Sequence, residues 1–266
     1  MCLIVFAWRP GHAQPLVLGA NRDEFYDRPT QPLAVWPESP GMIAGRDLQA
    51  GGTWLGIGPN GRFAALTNIR DPRQPPIGRS RGELSTQFLT SALSPEAFFA
   101  ELMTRADDYA GFNLLAGDRH ELWFYNSWEG PARRLPEGLY GLSNAQLDTP
   151  WPKVLRAKAA LAACLRDPQP AALLALLGDP QQADASSLPD TGIGVDTERL
   201  LSSAFIASRS YGTRASTALI VQADGSRQIV ERSYGPHGAH LGDISLDGPA
   251  SRPRADAQLR LPVNAD

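Results

Sequence analysis

Short apolar runs separated by turn residues recur along this sequence, and most of them come in pairs. Two runs of strand-forming residues joined by a short turn are typical of a β-hairpin. The first predicted hairpin spans residues 3–21 and places Cys2 at the mouth of its first strand. Further hairpins are predicted for residues 54–68, 112–125 and 216–233, and single strands for residues 34–36 and 139–143.

Helical spacing is found mainly in the middle of the chain. Two helices are predicted after a Pro-, Arg- and Gly-rich loop at residues 69–82, and the second begins with the capping residue Ser94 and a proline. Apolar residues with a helical period predict an Ala-rich amphipathic helix at residues 154–165. A short helix is predicted at residues 170–177, and residues 179–200 are predicted to be mostly loop.

This grouping of hairpins and helices predicts an α+β fold with mostly antiparallel sheets, because a parallel sheet needs alternating βαβ units. A chain of this length can bury one large core, and residues 1–246 are expected to form a single domain. The polar, proline-containing tail at residues 247–266 is expected to be poorly ordered.

The charge balance and the cysteine content narrow the class of protein. The formal net charge is -3, and a nucleic-acid-binding protein usually has a basic face, so no nucleic-acid partner is expected. The two cysteines cannot form a disulfide framework and favour a reducing compartment. No apolar run approaches the roughly 20 residues that a membrane-spanning helix needs. We therefore expect a cytoplasmic protein without a transmembrane segment.

Cys2 lies directly behind Met1, in a position where removal of the initiator methionine makes it the first residue. One residue would then carry both a thiol nucleophile and a free α-amine. An α-amine has a reference pKa of about 7.7–8.0 and can act as the base that activates the thiol. The alternative for an isolated cysteine here is a packed strand residue.

Four polar clusters lie at the ends of predicted strands, where functional side chains are commonly found. They are residues 21–24, residues 67 and 68, residues 143 and 144, and residues 213–217. One interpretation is a shared functional site. The alternative for each cluster alone is a set of surface ion pairs and turn-forming asparagines.

Together with the opening Met1-Cys2, these clusters resemble the motifs of the NRDE family, also called the transport-and-Golgi-organisation family. The family is named after the motif that stands here as Asn21-Arg22-Asp23-Glu24. The resemblance covers roughly residues 1–235 and includes, in order, Gly51-Gly52-Thr53-Trp54-Leu55-Gly56, Ala65-Leu66-Thr67-Asn68, Arg79-Ser80-Arg81-Gly82-Glu83-Leu84, Gly111-Phe112-Asn113-Leu114, Gly141-Leu142-Ser143-Asn144 and Tyr211-Gly212-Thr213-Arg214.

That family in turn resembles the N-terminal-nucleophile (Ntn) hydrolases, in particular the cysteine type that includes choloylglycine hydrolases and penicillin V acylases. The resemblance implies a four-layer αββα sandwich. It also implies an amidohydrolase or acyltransferase that acts on a small amide or thioester through an acyl-enzyme.

Carried over residue by residue, the resemblance implies a catalytic role for five positions. Cys2 matches the nucleophile, Asp23 the carboxylate that holds the α-amine and the nucleophile, and Asn144 the oxyanion-hole asparagine. Asn68 matches the second polar position near that hole, and Arg214 matches the arginine beside the thiolate. A guanidinium next to the sulfur would lower the pKa of the thiol, and amide N–H groups would stabilise the oxyanion.

One departure from the hydrolases concerns arginine. They carry an arginine three residues before the aspartate, where this chain has Ala20. Arg22 is adjacent to Asp23 instead, so in a regular strand the two side chains point to opposite faces. The residues predicted to bind substrate are Asn21, Arg22, Trp54 and Thr213.

The remaining chemistry-bearing residues predict no further site. Cys164 is expected to be a packed thiol on the Ala-rich helix. His237 and His240 lie in a Gly- and Pro-rich segment that is interpreted as a surface loop, so no metal and no cofactor are expected.

The alternative function is a non-catalytic carrier that binds an acyl-coenzyme-A-like lipid or haem in the same cleft. The expected partner is thus a small-molecule substrate or a lipid-like ligand.

Overall fold

A computed structural model of the chain describes residues 2–73 and 78–248. Residues 74–77 of the predicted loop and residues 249–266 of the predicted tail lie outside the described residues.

Runs of strands are interrupted by two groups of helices in the second and third quarters of the chain. The strands are β1 (Cys2–Trp8), β2 (Leu16–Phe25), β3 (Thr30–Val35), β4 (Ile43–Asp47), β5 (Leu55–Ile57), β6 (Phe63–Asn68), β7 (Phe112–Gly117), β8 (Leu122–Asn126), β9 (Arg133–Arg134), β10 (Gly138–Leu142), β11 (Tyr211–Val221), β12 (Arg227–Tyr234) and β13 (His240–Gly248). The helices are α1 (Gly82–Thr90), α2 (Pro95–Met103), α3 (Pro152–Cys164), α4 (Pro170–Leu177) and α5 (Val195–Leu200).

Within the described residues, the strands form two antiparallel sheets. The first sheet has the strand order β10-β1-β2-β11-β12-β13, and the second has the order β3-β4-β5-β6-β7-β8-β9. Helices α3 and α4 pack on the first sheet, and α1 and α2 pack on the second. The two sheets face each other across a shared core. The predicted α+β fold with a four-layer αββα arrangement is confirmed.

The pleat of β1 divides its apolar side chains between two cores. Ile4, Phe6 and Trp8 belong to the core between the sheets. Leu3 and Val5 belong to the core beneath α3 and α4. A strand buried on both faces needs a continuous apolar run, which is what the sequence has here. Side chains of a strand alternate in direction, so Cys2 lies on the same face of β1 as Ile4.

Strand β2 continues beyond its predicted end through the whole of the Asn21-Arg22-Asp23-Glu24 motif. It lies between β1 and β11 in the middle of the first sheet. Its register sets Arg22 opposite Cys2 on β1 and Asp23 opposite Thr213 on β11. The register on β11 shifts between Thr213 and Ala215, which leaves Arg214 as an extra residue in a β-bulge.

Several predicted elements are confirmed nearly residue for residue. The hairpins formed by β5 with β6, β7 with β8, and β11 with β12 lie where they were predicted. Ser94 caps α2 by accepting a hydrogen bond of 3.2 Å from the N–H of Ala97. Cys164 is partly buried against the core beneath α3 and α4, as expected for a packed thiol.

Four elements were missed by the sequence analysis, among them the two-residue strand β9. Residues 179–200 are not all loop, because α5 occupies their last turn. Strand β4 contains Gly45 and two charged residues, so its pattern does not stand out. The loop assigned around His240 and the start of the tail at residue 247 were wrong, since β13 runs from His240 to Gly248. This edge strand alternates half-buried apolar residues with exposed polar ones, and Gly242 interrupts the pattern.

Two glycines bring the segment after β4 against the start of α1. The N–H of Thr53 donates to the carbonyl oxygen of Gly82 over 3.1 Å. A Cβ atom added to Gly52 would lie 2.3 Å from the carbonyl carbon of Gly82, a distance that backbone atoms cannot accommodate without moving. A residue with a side chain at position 52 would therefore force these two segments apart.

We predict that Gly52→Ala lowers the free energy of unfolding by roughly 1–3 kcal/mol, because overpacking against backbone has to be relieved by a shift of the chain. Urea unfolding followed by circular dichroism measures this. Gly19→Ala is the matched control, since a Cβ there meets only the side chain of Leu177 at an ordinary 3.5 Å. Equal unfolding midpoints for the two variants would contradict the prediction.

Candidate active site

The site is built around Cys2 at the start of β1. Cys2 is partly exposed and lines a cleft of about 450 Å³ that opens between the ends of the two sheets and the segments around residues 47–54 and 78–82. The walls of this cleft are mostly polar and charged. Cys2 therefore lies at the wall of an open cleft and is not enclosed within a packed core.

The backbone of Cys2 is held at both ends of the residue by the Ser143-Asn144 pair that follows β10. The nitrogen of Cys2 donates to Oδ1 of Asn144 over 3.3 Å. The hydroxyl of Ser143 donates to the carbonyl oxygen of Cys2 over 2.8 Å. The same hydroxyl lies 3.3 Å from Oδ1 of Asn144. Position 144, which the sequence analysis selected, thus contacts the nitrogen that becomes an α-amine once Met1 is removed.

Asn144 and Asn68, the two residues that the resemblance matched to an oxyanion hole, lie next to each other. Nδ2 of Asn144 donates to the backbone carbonyl of Asn68 over 2.8 Å, which fixes the plane of the Asn144 amide. The side chain of Asn68 lines the cleft with Cys2. A hydrogen bond of 2.6 Å from Thr67 to the carbonyl of Ser143 links β6 of the second sheet to the end of β10 in the first.

Asp23 lies beneath the nucleophile, 1% exposed. The hydroxyl of Thr213 donates to Oδ1 of Asp23 over 2.8 Å. The phenol of Tyr211 donates to the backbone carbonyl of Asp23 over 3.2 Å. Burial raises the pKa of the Asp23 carboxyl above its ordinary value, and the positive charge of Lys153 and the hydrogen bond from Thr213 act in the opposite direction.

Arg22 lines the cleft and lies opposite Cys2 in the strand register. Its guanidinium lies 4.3 Å from the centre of the Trp54 ring, and Nη1 donates to Thr30 over 3.2 Å. Trp54 is held in place because its ring covers Gly45, where a Cβ would lie only 2.3 Å from the ring. The predicted substrate-binding residues Arg22 and Trp54 both line the cleft. Opposite faces for Arg22 and Asp23 were also expected, and the strand register agrees.

The structure corrects the position predicted for Arg214. Its guanidinium donates to the carbonyl oxygens of Phe25 and Arg28 over 2.8 and 3.0 Å, and it is not among the residues that line the cleft. The β-bulge turns this residue toward the end of β2. The arginine directly opposite Cys2 is Arg22.

Asn21 and Thr213 were predicted to bind substrate, and the structure corrects this as well. Both side chains are buried, at 1% and 0% exposure. Nδ2 of Asn21 donates to the carbonyls of Leu177 and Ala204 over 2.9 and 2.7 Å, and Oδ1 accepts from Ser216. Asn21 thus holds the first sheet to its helical layer, and Thr213 bonds Asp23 and the N–H of Ile206. Neither residue is among those that line the cleft.

Lys153 is the main residue of the site that the sequence analysis missed. It is 1% exposed, and its Nζ has no hydrogen-bond partner among the described residues. Burial lowers the pKa of Lys153 to about 8, and the negative charge of Asp23 acts in the opposite direction. The signal was present in the sequence. Lys153 precedes the buried Ala157 and Leu161 at i, i+4, i+8 spacing and so lies on the apolar stripe of α3.

A buried ion pair lies close to Lys153. The guanidinium of Arg70 contacts the carboxylate of Glu198 on α5, and it also lies 4.7 Å from the centre of the Trp151 ring. The N–H of Arg70 donates to the carbonyl of Asn144 over 2.8 Å. Neither Arg70 nor Glu198 belongs to a predicted cluster, because both lie in segments interpreted as loop.

The surroundings of Cys2 favour the neutral thiol over the thiolate. Burial raises the pKa of Cys2 above its ordinary value, and the carboxylate of Asp23 acts in the same direction. The positive charge of Arg22 and a hydrogen bond from the backbone of Asp23 oppose this effect without cancelling it. A reaction at this sulfur therefore needs a base that removes the proton.

Within residues 2–73 and 78–248, no group of three or more His, Cys, Asp and Glu side chains has an arrangement that could hold a metal ion. No helix in the same part of the chain is long and apolar enough to cross a bilayer.

Comparisons with known proteins identify relatives over almost the whole chain. A family model described as Transport and Golgi organisation 2 matches residues 1–236. The Transport and Golgi organization 2 homolog of Mus musculus is 34% identical over 256 residues, which cover 88% of this chain and 93% of that protein. The Transport and Golgi organization protein 2 homolog of Homo sapiens is 35% identical with the same coverage.

A comparison with solved structures supports the fold. A mutant of the conjugated bile acid hydrolase from Clostridium perfringens superposes with a TM-score of 0.54 over 93% of this chain and 92% of that chain, at 8% sequence identity. This is a likeness of fold, and it confirms the predicted Ntn-hydrolase-like sandwich.

The lowered pKa of Lys153 gives a prediction for stability against pH. The unfolded chain holds the lysine proton up to about pH 10.5 and the folded protein only up to about pH 8. Between these values the unfolded state binds more protons, so stability rises with pH. We predict that wild type gains about 3 kcal/mol of unfolding free energy relative to Lys153→Met across this range.

Urea unfolding at several pH values across that range measures the difference between the two proteins. Lys158→Met on the same helix is the control for loss of a lysine as such. If the difference in unfolding free energy between wild type and Lys153→Met stayed constant with pH, the lowered pKa assigned to Lys153 would be contradicted.

Proposed function

Because this chain belongs to the Transport and Golgi organisation 2 family and has the Ntn-hydrolase fold, we propose that it is an N-terminal-cysteine amidohydrolase or acyltransferase. Its substrate on this proposal is a small amide or thioester. The observation that carries the proposal is the hydrogen bond of 3.3 Å from the nitrogen of Cys2 to Oδ1 of Asn144, on a residue whose side chain lines the cleft.

Removal of Met1 turns the nitrogen of Cys2 from a peptide amide into an α-amine on the same residue as the thiol. Such an amine has a reference pKa of about 7.7–8.0, which suits a base near neutral pH. The raised pKa of the thiol makes this base necessary. The Asp23 carboxylate and Oδ1 of Asn144 are suited to hold the amine once it carries a proton.

In the first half of the reaction, the α-amine takes the proton of the thiol and the sulfur attacks the carbonyl carbon of the substrate. A carbon–sulfur bond forms, and the carbonyl electron pair moves onto the oxygen. The amides of Asn144 and Asn68 are the candidate donors to this oxyanion. When the intermediate collapses, the bond to the leaving group breaks and the leaving amine or thiol takes the proton from the α-ammonium.

In the second half, water attacks the thioester of Cys2, and the α-amine again accepts and returns a proton. The acid leaves and the thiol is restored. An acceptor amine or thiol in place of water gives acyl transfer. The chain's own groups supply every proton transfer in this scheme.

The character of the cleft favours an enzyme for small polar substrates over a carrier of lipid or haem. Pockets for such ligands are lined predominantly by apolar and aromatic side chains. Here Arg22, Arg28, Arg79 and Arg81 line the cleft together with Glu24 and Asp47. The carrier function remains the alternative that the following experiment separates.

We predict that intact-mass spectrometry finds a mature chain beginning at Cys2. Incubation with a series of aryl thioesters, from acetyl to dodecanoyl, should give an acyl adduct on Cys2 and release of acid. Cys2→Ala abolishes both, and Cys2→Ser reduces both, because the hydroxyl is a weaker nucleophile. Cys164→Ala is the matched control and should react like wild type.

Two results would count against the proposal. Turnover by a protein that retains Met1 quantitatively would remove the α-amine from the mechanism. Saturable binding of an acyl-coenzyme A or haem that Cys2→Ala leaves unchanged, with no adduct, would favour the carrier.

For Asn144→Ala we expect the acylation rate of Cys2 to fall roughly 10²–10³-fold, the usual effect of losing an oxyanion donor. Stopped-flow release of the aryl thiol measures the rate. Asn126→Ala is the control, since this buried asparagine bonds Asn113 within the second sheet, whereas Asn144 is bonded to the nitrogen of Cys2. Similar acylation rates for both variants would argue against an oxyanion role of Asn144.

A further inference from the structure

The arginines of the cleft differ in how their charge is balanced. Those that line it are Arg22, Arg28, Arg79 and Arg81. Arg28 contacts Asp47 at 2.7 Å, and Arg22 lies 3.9 Å from the same carboxylate. Arg79 contacts Glu83 at 2.6 Å. Each of these three guanidinium groups therefore has a carboxylate partner.

Arg81 has no carboxylate within ion-pair distance in residues 2–73 and 78–248. Its Nη1 donates to the carbonyl oxygen of Gly111 over 3.1 Å. A guanidinium has five N–H donors, so one neutral acceptor leaves most of its capacity open. The neighbouring residues 74–77 are Gln, Pro, Pro and Ile, none of which carries a carboxylate.

Arg81, which has no carboxylate of the described residues in contact with it, lies in the same cleft as the thiol. Arg81 lines the same cleft as Cys2, and the charge of a Cys2 thiolate acts on its guanidinium. Burial lowers the pKa of Arg81, which reflects the cost of removing this cation from water. The carboxylate of Glu24 acts on Arg81 through its charge but forms no ion-pair contact with it. A partly buried cation without a carboxylate in contact is costly, and an anion that enters the cleft offsets that cost.

We infer that Arg81 recognises an anionic group of the substrate, a carboxylate or a phosphate, beside the bond that Cys2 attacks. A guanidinium suits both groups because its planar fork can donate two parallel hydrogen bonds to either one. This inference rests on the proposed function. It narrows the substrate class from small amides and thioesters in general to those that carry a further negative charge.

The test compares two alkylating reagents of nearly equal size, iodoacetate and iodoacetamide, on the full chain. In both reactions the sulfur of Cys2 forms a bond to carbon and iodide leaves, so the reagents differ only in charge. Peptide mass spectrometry follows the carboxymethyl and carbamidomethyl adducts on Cys2. The rate ratio is normalised to that of N-acetylcysteine under the same conditions.

We expect the normalised ratio to favour iodoacetate in wild type by about tenfold, the usual effect of a hydrogen bond to a charged group. Arg81→Met should bring the ratio close to one, and Arg81→Lys should retain part of the preference. The rate with iodoacetamide is the internal control for an intact site in each variant. Arg79→Met is the matched control, because Arg79 is half exposed and paired with Glu83.

The inference is overturned by a wild-type ratio close to one, by an unchanged ratio in Arg81→Met, or by an equal loss in Arg79→Met, which would indicate a diffuse field. Protection of Cys2 from iodoacetamide by acetate or by methylphosphonate distinguishes a carboxylate site from a phosphate site.

The result is independent of turnover. Anion preference without any acyl-enzyme would leave Arg81 as an anion site and remove the proposed function. Acyl turnover without anion preference would support the proposed function and remove the anion site at Arg81.

Discussion

Burying the carboxylate of Asp23 beneath the nucleophile is the constraint on which the rest of the site depends. A charge removed from water is costly unless nearby groups compensate it. Here Thr213 donates a hydrogen bond from β11, and Lys153 on α3 places a positive charge nearby. Arg70, which follows β6, is paired with Glu198 on α5 within reach of the same charges. Groups from distant parts of the chain, on β11, on α3 and after β6, thus converge on one carboxylate.

The alternation of side chains along β2 explains how one short motif serves both the fold and the cleft. Asn21 and Asp23 face the helical layer, where they are buried. Arg22 faces the other way, opposite Cys2, and stacks on Trp54. A strand that ended at Asn21, as the sequence pattern predicted, would leave these directions undefined. The strand continues because β1 and β11 pair with it on both sides.

The sequence predicted the class of fold and most hairpins, and it selected several of the residues that lie near Cys2, among them Arg22 and Asn144. Local patterns are sufficient for elements such as α4, whose first residue Pro170 and C-cap Gly178 mark its two ends. They are insufficient for Arg214, because a bulge of one residue reverses the direction of a side chain and leaves no mark in the composition. They are also insufficient for Arg70 and Glu198, whose proximity depends on the tertiary fold. Lys153 is an intermediate case, since its helical spacing was visible but a lysine on an apolar stripe is easily taken for a surface residue.

The two faces of β2 also bear on how sequence variants of this protein should be interpreted. Substitutions at Asn21 remove bonds that tie a sheet to its helices, so their effect would appear as a lower amount of folded protein in the cell. Substitutions at Arg22 leave those bonds in place and remove instead its contacts with Thr30 and with Trp54, which lines the cleft. Neighbouring positions of a single motif would then differ in where a substitution acts, Asn21 on the attachment of the helical layer and Arg22 on the shape and charge of the cleft.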